Sequence, residues 1–241
     1  VNYNLLLRRL HKWVALIVGI QLVLWTMSGF IMSYVPIEDV HGDHLWDKSQ
    51  RGAFLNSEDI SFTLRDIMAK YETRPIQNMR LFSRDGQAAY EIHLKGQTIF
   101  LDAQNGAALA PITEERAIAV AKKAYRWTGG YRSIEYITDP DQYGEIRGQP
   151  LPIWKVNFDD DVNSSLYVSP MKARVITVRS DIWRQYDFFW MLHIMDYDTR
   201  DNFNSLLLIL AASTAFFVAL SGLILIYYAF SKKDFRWLRR S

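Results

Sequence analysis

The chain has 241 residues, a net charge of +2 and an apolar fraction of 49%, which allows one large domain or two small ones. It contains no cysteine, which excludes disulfides, cysteine-ligated iron–sulfur clusters, thiolate zinc sites and the CxxCH attachment of c-type haem. Any metal must rest on histidine, carboxylate or methionine, and the histidines are His11, His41, His44, His93 and His193.

The averages hide a partition. Sustained hydrophobicity is confined to residues 13–35 and 203–230, with about 165 residues of soluble-type composition between them. Each run is long enough to cross the roughly 30 Å hydrocarbon core as a helix. In chain order, residues 2–12 suggest a short basic surface helix leading into the first span. Its basic start resembles a signal peptide, but the apolar body is too long and lacks a small-residue cleavage site, so the expectation is an uncleaved anchor. Trp25-Thr26-Met27-Ser28-Gly29 in this span, and Leu220-Ser221-Gly222 below Ala211, Ala212, Ser213 and Ala215 in the second, place small residues where helices can approach closely.

Between the spans, Ile60, Leu64, Ile67, Met68 and Tyr71 have helical spacing, predicting a helix over 60–71. Strand-like segments follow at 76–82, 88–94 and 97–101, with Asp85-Gly86 and Lys95-Gly96 as hairpin turns. The pattern then recurs. Thr113-Glu114-Glu115 opens a second helix through Ala117, Ile118, Val120, Ala121, Ala124 and Tyr125, and strands are predicted at 133–138, 153–158 and 165–168, with a long loop at 139–152. This is an internal repeat of a helix on a small antiparallel sheet.

An aromatic segment, Ile182-Trp183-Arg184-Gln185-Tyr186-Asp187-Phe188-Phe189-Trp190-Met191-Leu192-His193, then leads through a polar knot at Asp196-Tyr197-Asp198-Thr199-Arg200-Asp201-Asn202 into the second span. Aromatics suit the lipid headgroup level. Arg8, Arg9 and Lys12 precede the first span, and Lys232, Lys233, Arg236, Arg239 and Arg240 follow the second; the inner flanks carry Glu38, Asp39, Asp43, Asp47, Asp196, Asp198 and Asp201. By the positive-inside rule both termini are expected in the cytoplasm and the central domain in the periplasm of a bacterial inner-membrane protein. The expected fold class is a membrane α+β protein, with two transmembrane helices flanking a periplasmic tandem helix-plus-sheet domain. The expected segments are 1–36 (cytoplasmic N-terminus and first span), 37–110 (linker and first repeat), 111–181 (second repeat), 182–202 (interfacial aromatic segment) and 203–241 (second span and basic tail).

Two copies of a helix followed by strands, the first closing on Asp102-Ala103-Gln104-Asn105-Gly106, resemble the PepSY module. Together with Leu10-His11-Lys12-Trp13, Thr26-Met27-Ser28-Gly29, Pro36-Ile37-Glu38, Gly42-Asp43-His44-Leu45 and His193-Ile194-Met195-Asp196-Tyr197, they make nearly the whole chain similar to the PepSY-associated transmembrane proteins. The resemblance implies one of two roles. PepSY domains were named for suspected peptidase inhibition, whereas four-span members of the membrane family are similar to haem-containing inner-membrane reductases of ferric siderophores. This chain carries two spans.

Haem b takes one or two axial imidazoles in an apolar slot, without a covalent link. His44 and His193 lie just outside the spans and, if the spans pair antiparallel, return to the same depth on the outer side, near Trp46 and near Phe189 and Trp190 respectively. They are the expected ligands of a shared outer haem. Trp25, Trp183, Phe189 and Trp190 are its expected packing. The competing expectation for each imidazole is a hydrogen bond to a headgroup or to Asp43, Asp47 or Asp196, or a role with another metal or a proton. His11, between Arg9 and Lys12, lies on the cytoplasmic side; an inner haem there needs a second His11 from a symmetric partner or a ligand from another subunit, while Arg9 and Lys12 suit either propionates or anionic lipid. His41 and His93 are set aside as a turn residue and a strand-face residue. Asp159-Asp160-Asp161 lacks the spacing and glycine of a calcium loop and is expected to be a solvated turn.

No GxSxG, HExxH or P-loop occurs, which argues against common hydrolase and nucleotide chemistry. Balanced charge in the middle makes nucleic acid an unexpected partner. The functional expectation is a haem b subunit for transmembrane electron transfer, with a ferric chelate as a periplasmic acceptor. The alternative is a non-redox module that docks on a peptidase or a larger membrane complex. Lipid and either a homo-oligomer or a subunit of a larger complex are the expected partners.

Overall fold

A computed structural model describes residues 3–49, 55–139 and 144–229. The basic tail expected after the second span lies outside them. The chain divides into two compact units, one formed by Val1–Val35 with Gln185–Ser241 and the other by Pro36–Arg184.

In the helical unit, α1 (Tyr3–Tyr34) is continuous. The expected surface helix and first span form one rod, because neither proline nor a turn sequence interrupts the run until Pro36, which disfavours helix at the residue before it. The second long helix, α6 (Leu206–Ala229), starts at Leu206 rather than Phe203. Ser205 Oγ accepts the Leu208 amide at 3.1 Å and Asn202 accepts the Asn204 amide at 2.9 Å, so polar side chains cap the helix there and leave Phe203 in the preceding turn. Segments His11–Tyr34 and Leu206–Ile226 have the length and apolarity to cross a membrane. The contact of His11, near the start of α1, with Ser221, late in α6, makes the pair antiparallel. Trp13, Ile20, Val23, Phe216, Phe217 and Leu223 remain exposed, as suits lipid-facing surface.

Also in this unit is most of α5 (Asp181–Ile194). After it, the polar knot is organised by one side chain. The Asp196 carboxylate accepts the amides of Asp198, Thr199, Asp201 and Asn202 and the Thr199 hydroxyl. The Thr199 hydroxyl and the Asn202 amide hold its carboxyl well below the usual aspartate range. Arg200 pairs with Asp187, which is 7% exposed on α5, and its carbonyl accepts Trp190 Nε1 at 2.9 Å.

The second unit begins with the short α2 (Ile37–Val40) and contains both repeats. The first has α3 (Leu64–Lys70) and the antiparallel strands β1 (Ile76–Arg84), β2 (Gln87–Leu94) and β3 (Gln97–Asp102). The helix starts four residues later than its apolar spacing suggests because Thr63 and Asp66 form a capping box, while Ile60 packs on the core from a non-helical approach. Asp85 (φ 57°) and Gly86 (φ 90°) occupy the left-handed region that a tight two-residue hairpin requires.

The second repeat has α4 (Glu114–Ala124), β4 (Gly130–Ile137), β5 (Ile153–Asp159), β6 (Ser165–Ser169) and β7 (Arg174–Arg179) in one antiparallel sheet. Strand β7 was not expected. Its turn places Ala173 at φ 49°, so no glycine or asparagine marks the reversal that creates it. Ala117, Ala121 and Ala124 bring α4 onto Val156, Phe158, Leu166 and Val168, and Leu45 and Trp46 complete this core. Between the repeats, Lys172 Nζ reaches the buried Glu91 carboxylate at 2.8 Å, and Arg116 of α4 pairs with Asp85 of the first hairpin.

The Asp159-Asp160-Asp161 segment is more than a solvated turn. Asp160 accepts the amides of Val162 and Ser164 at 3.2 and 2.9 Å and the Tyr125 hydroxyl at 2.6 Å. Burial raises its carboxyl, but these hydrogen bonds outweigh it and the net direction is down. Replacing Asp160 with Ala strands the Tyr125 hydroxyl and two turn amides, and is expected to cost about 2 kcal/mol. Denaturant melts of the full chain followed by near-ultraviolet circular dichroism read this directly, and an unchanged midpoint would show that the turn does not anchor the repeat.

Candidate functional site

Two histidine–serine pairs stand out in the helical unit. His193, in the last turn of α5, has Nδ1 3.1 Å from Ser28 Oγ of α1. Ser28 is fully buried and donates its only hydroxyl proton to the Trp25 carbonyl at 2.9 Å. With that proton used, Ser28 Oγ can only accept from the ring. A neutral His193 would therefore give its Nδ1 proton to Ser28 and keep the Nε2 lone pair.

The same arrangement recurs farther along α1. His11 Nδ1 lies 2.7 Å from Ser221 Oγ, whose proton goes to the Val218 carbonyl at 2.8 Å. The same proton count applies to a neutral His11, whose Nδ1 would donate to Ser221 and leave Nε2 its lone pair. From His11 to Ser28 is about 25 Å of helix at ~1.5 Å per residue, so the pairs occupy opposite ends of the span and cannot serve one iron together. A ring whose Nδ1–H is held by an outer partner while Nε2 stays unprotonated is the form in which histidine ligates metals.

One polar group beside His193 is left unsatisfied among the described residues. The Trp25 ring lies 5.8 Å from the imidazole, centre to centre, and its buried indole N–H has no acceptor among the described residues. A buried donor without a partner is costly unless something supplies an acceptor. Gly29 lets α1 approach the ring closely, since a Cβ there would lie 3.2 Å from His193 Cε1. His193 and His11 are thus the imidazoles of the helical unit that could hold a haem iron, with an unsatisfied indole donor beside His193.

The remaining expected site residues are placed as follows. Trp190 packs on Phe203 and Phe189 on Phe188. Arg9 is exposed on α1. His44 belongs to the sheet-bearing unit, where its Nδ1 is 3.7 Å from Asp39 and its ring meets the edge of Trp127, not Trp46, which is in the core. Trp183 lies under the Arg179 guanidinium. His93 bonds Thr98 at 3.0 Å with Glu91 nearby, and His41 caps α2 through its backbone. Among the described residues no cluster of three or more histidine or carboxylate side chains is placed to hold a bare ion.

Sequence reasoning missed the roles of Ser28 and Ser221, taking them for small residues that let helices pack. The available signal was a hydroxyl within an apolar span, which must spend its proton on a local carbonyl or a neighbouring side chain.

The sequence matches the family described as the PepSY-associated TM region over residues 8–241. No curated protein and no solved structure matches it. With two apolar helices long enough to span a bilayer, paired antiparallel sheets and a family match over nearly its whole length, the chain belongs to the PepSY-associated transmembrane family and is a membrane protein.

Proposed function

We propose that this protein is an inner-membrane haem b subunit that moves electrons across the bilayer, with its sheet-bearing unit in the periplasm and the Arg8, Arg9 and Lys12 end of α1 in the cytoplasm. The observation that carries this is the pair of imidazoles held through Nδ1 by Ser28 and Ser221, one at each end of the span. His193 would hold a haem iron on the outer side and His11 one on the inner side. When bound, haem b would supply a one-electron Fe(III)/Fe(II) couple. Within the chain, Ser28 and Ser221 orient the rings, Trp25 offers a hydrogen bond, and the apolar spans exclude water. A second copy of the chain would supply the mate to His11, and a ferric chelate is the proposed periplasmic acceptor.

The test is an absorption spectrum of the full chain purified in mild detergent with haem available during expression. A Soret band that shifts on dithionite addition, together with at least a ten-fold loss of haem in His193→Ala but not in His93→Ala, is the expected result. A His44→Ala variant tests the second outer ligand expected from the sequence. A colourless wild-type protein would overturn the redox role and favour the docking module.

A further inference from the structure

Inside the sheet-bearing unit, where the two repeats meet, lies a cleft of about 430 Å³ bounded by the first hairpin tip, one side of α4 and the turn leading into β7. That volume is typical of small-molecule sites, which form preferentially at junctions of this kind. The charges lining it are unevenly satisfied. Asp85 is paired with Arg116, and Asp47 with Arg126 at 2.8 Å and with the Ser49 amide. Lys123 and Arg174 also line the cleft, and neither side chain has a hydrogen bond or ion pair with another described residue.

Arg174 is the informative one. It is half-buried at the start of β7, between Ala173 and Val175, which are 7% and 3% exposed. Arg174 lines the cleft, and its planar guanidinium fork matches a carboxylate. The apolar wall formed by Val120, Val175 and the buried Trp46 suits an organic body more than a bare inorganic anion.

We propose that this cleft binds a small organic polycarboxylate, with Arg174 and Lys123 each taking a carboxylate and the Arg116–Asp85 pair fixing the rim between the repeats. The site is independent of the haem role, since every residue it uses lies in the sheet-bearing unit.

Isothermal titration of the full chain in detergent, at constant ionic strength, tests this with citrate, inorganic pyrophosphate and neutral glycerol as probes. Saturable citrate binding is expected, weaker by at least about ten-fold in both Arg174→Gln and Lys123→Gln and partly kept in Arg174→Lys. Near-ultraviolet circular dichroism checks that the variants remain folded. No saturable citrate binding, citrate binding unchanged in the double variant Arg174→Gln/Lys123→Gln, or pyrophosphate binding as tightly as citrate would each overturn the proposal. Because the readout is heat of binding and not colour, it is unaffected by whether haem is present.

Discussion

Replacing Glu145 with Ala is expected to lower the unfolding free energy of the sheet-bearing unit by about 3 kcal/mol. Glu145 Oε1 accepts Arg184 Nε at 2.8 Å, and Oε2 accepts the Tyr167 hydroxyl at 2.7 Å. Tyr167 is fully buried in β6; burial, with the neighbouring carboxylate, pushes its phenol far up, so it remains a donor. Arg184 keeps Asp181, the Asn163 carbonyl and Ser165 after the change. The larger cost is therefore the stranded tyrosine hydroxyl. Glu145→Gln preserves an acceptor for Tyr167 and should cost roughly half as much.

The same carboxylate makes stability depend on pH. Burial raises the Glu145 carboxyl, but hydrogen bonds from Arg184 and Tyr167 outweigh it, and the net direction is below the ordinary value of 4.5. A carboxyl lowered on folding contributes stability that is complete above its unfolded value and is lost as pH falls through the folded one. The wild-type denaturation midpoint should thus drop on acidification below about pH 4.5, with a shallower drop in Glu145→Gln. Equal slopes would show that Glu145 titrates alike in both states. Urea melts of the full chain, with amide exchange in β5 and β6 as a local readout, measure both effects.

The second large effect is expected at Gly29. A Cβ there sits 3.2 Å from His193 Cε1, so Gly29→Ala requires the ring to yield by only a few tenths of an ångström and should leave haem content near wild type. Gly29→Val adds two methyl groups against the same atom and should displace the imidazole from Ser28, with haem content falling at least about ten-fold. Ser28→Ala removes the acceptor without crowding the ring. It should weaken haem binding by about 10- to 100-fold, the range found when an outer hydrogen bond to a ligating histidine is lost. Imidazole ¹⁵N shifts of the haem-free protein give an independent readout: protonated Nδ1 at His193 in the wild type, and a mixture of tautomers in Ser28→Ala. A wild-type His193 carrying its proton on Nε2 would remove the basis for the ligand assignment.

How much was legible beforehand differs by element. The hairpin at Asp85-Gly86 and the helix capped by Thr113 were readable because their causes lie within a few residues: a left-handed turn and a hydroxyl accepting the Arg116 amide. Strand β7 was hidden by a turn through Ala173, and the start of α3 was shifted by a cap that apolar spacing does not register. Asp196 could be seen as part of a polar cluster, but not as the acceptor that organises it.

The sequence by itself determined two membrane-length rods, a duplicated helix-and-sheet unit between them and the family to which the chain belongs, because hydrophobic period, turn chemistry and motif spacing are local properties. Only the tertiary structure decided that His193 meets Ser28, that His11 meets Ser221 and that Lys123 and Arg174 line one cleft. These partners lie far apart in the chain, so which hydroxyl holds each imidazole and which cations face the cleft follow from packing.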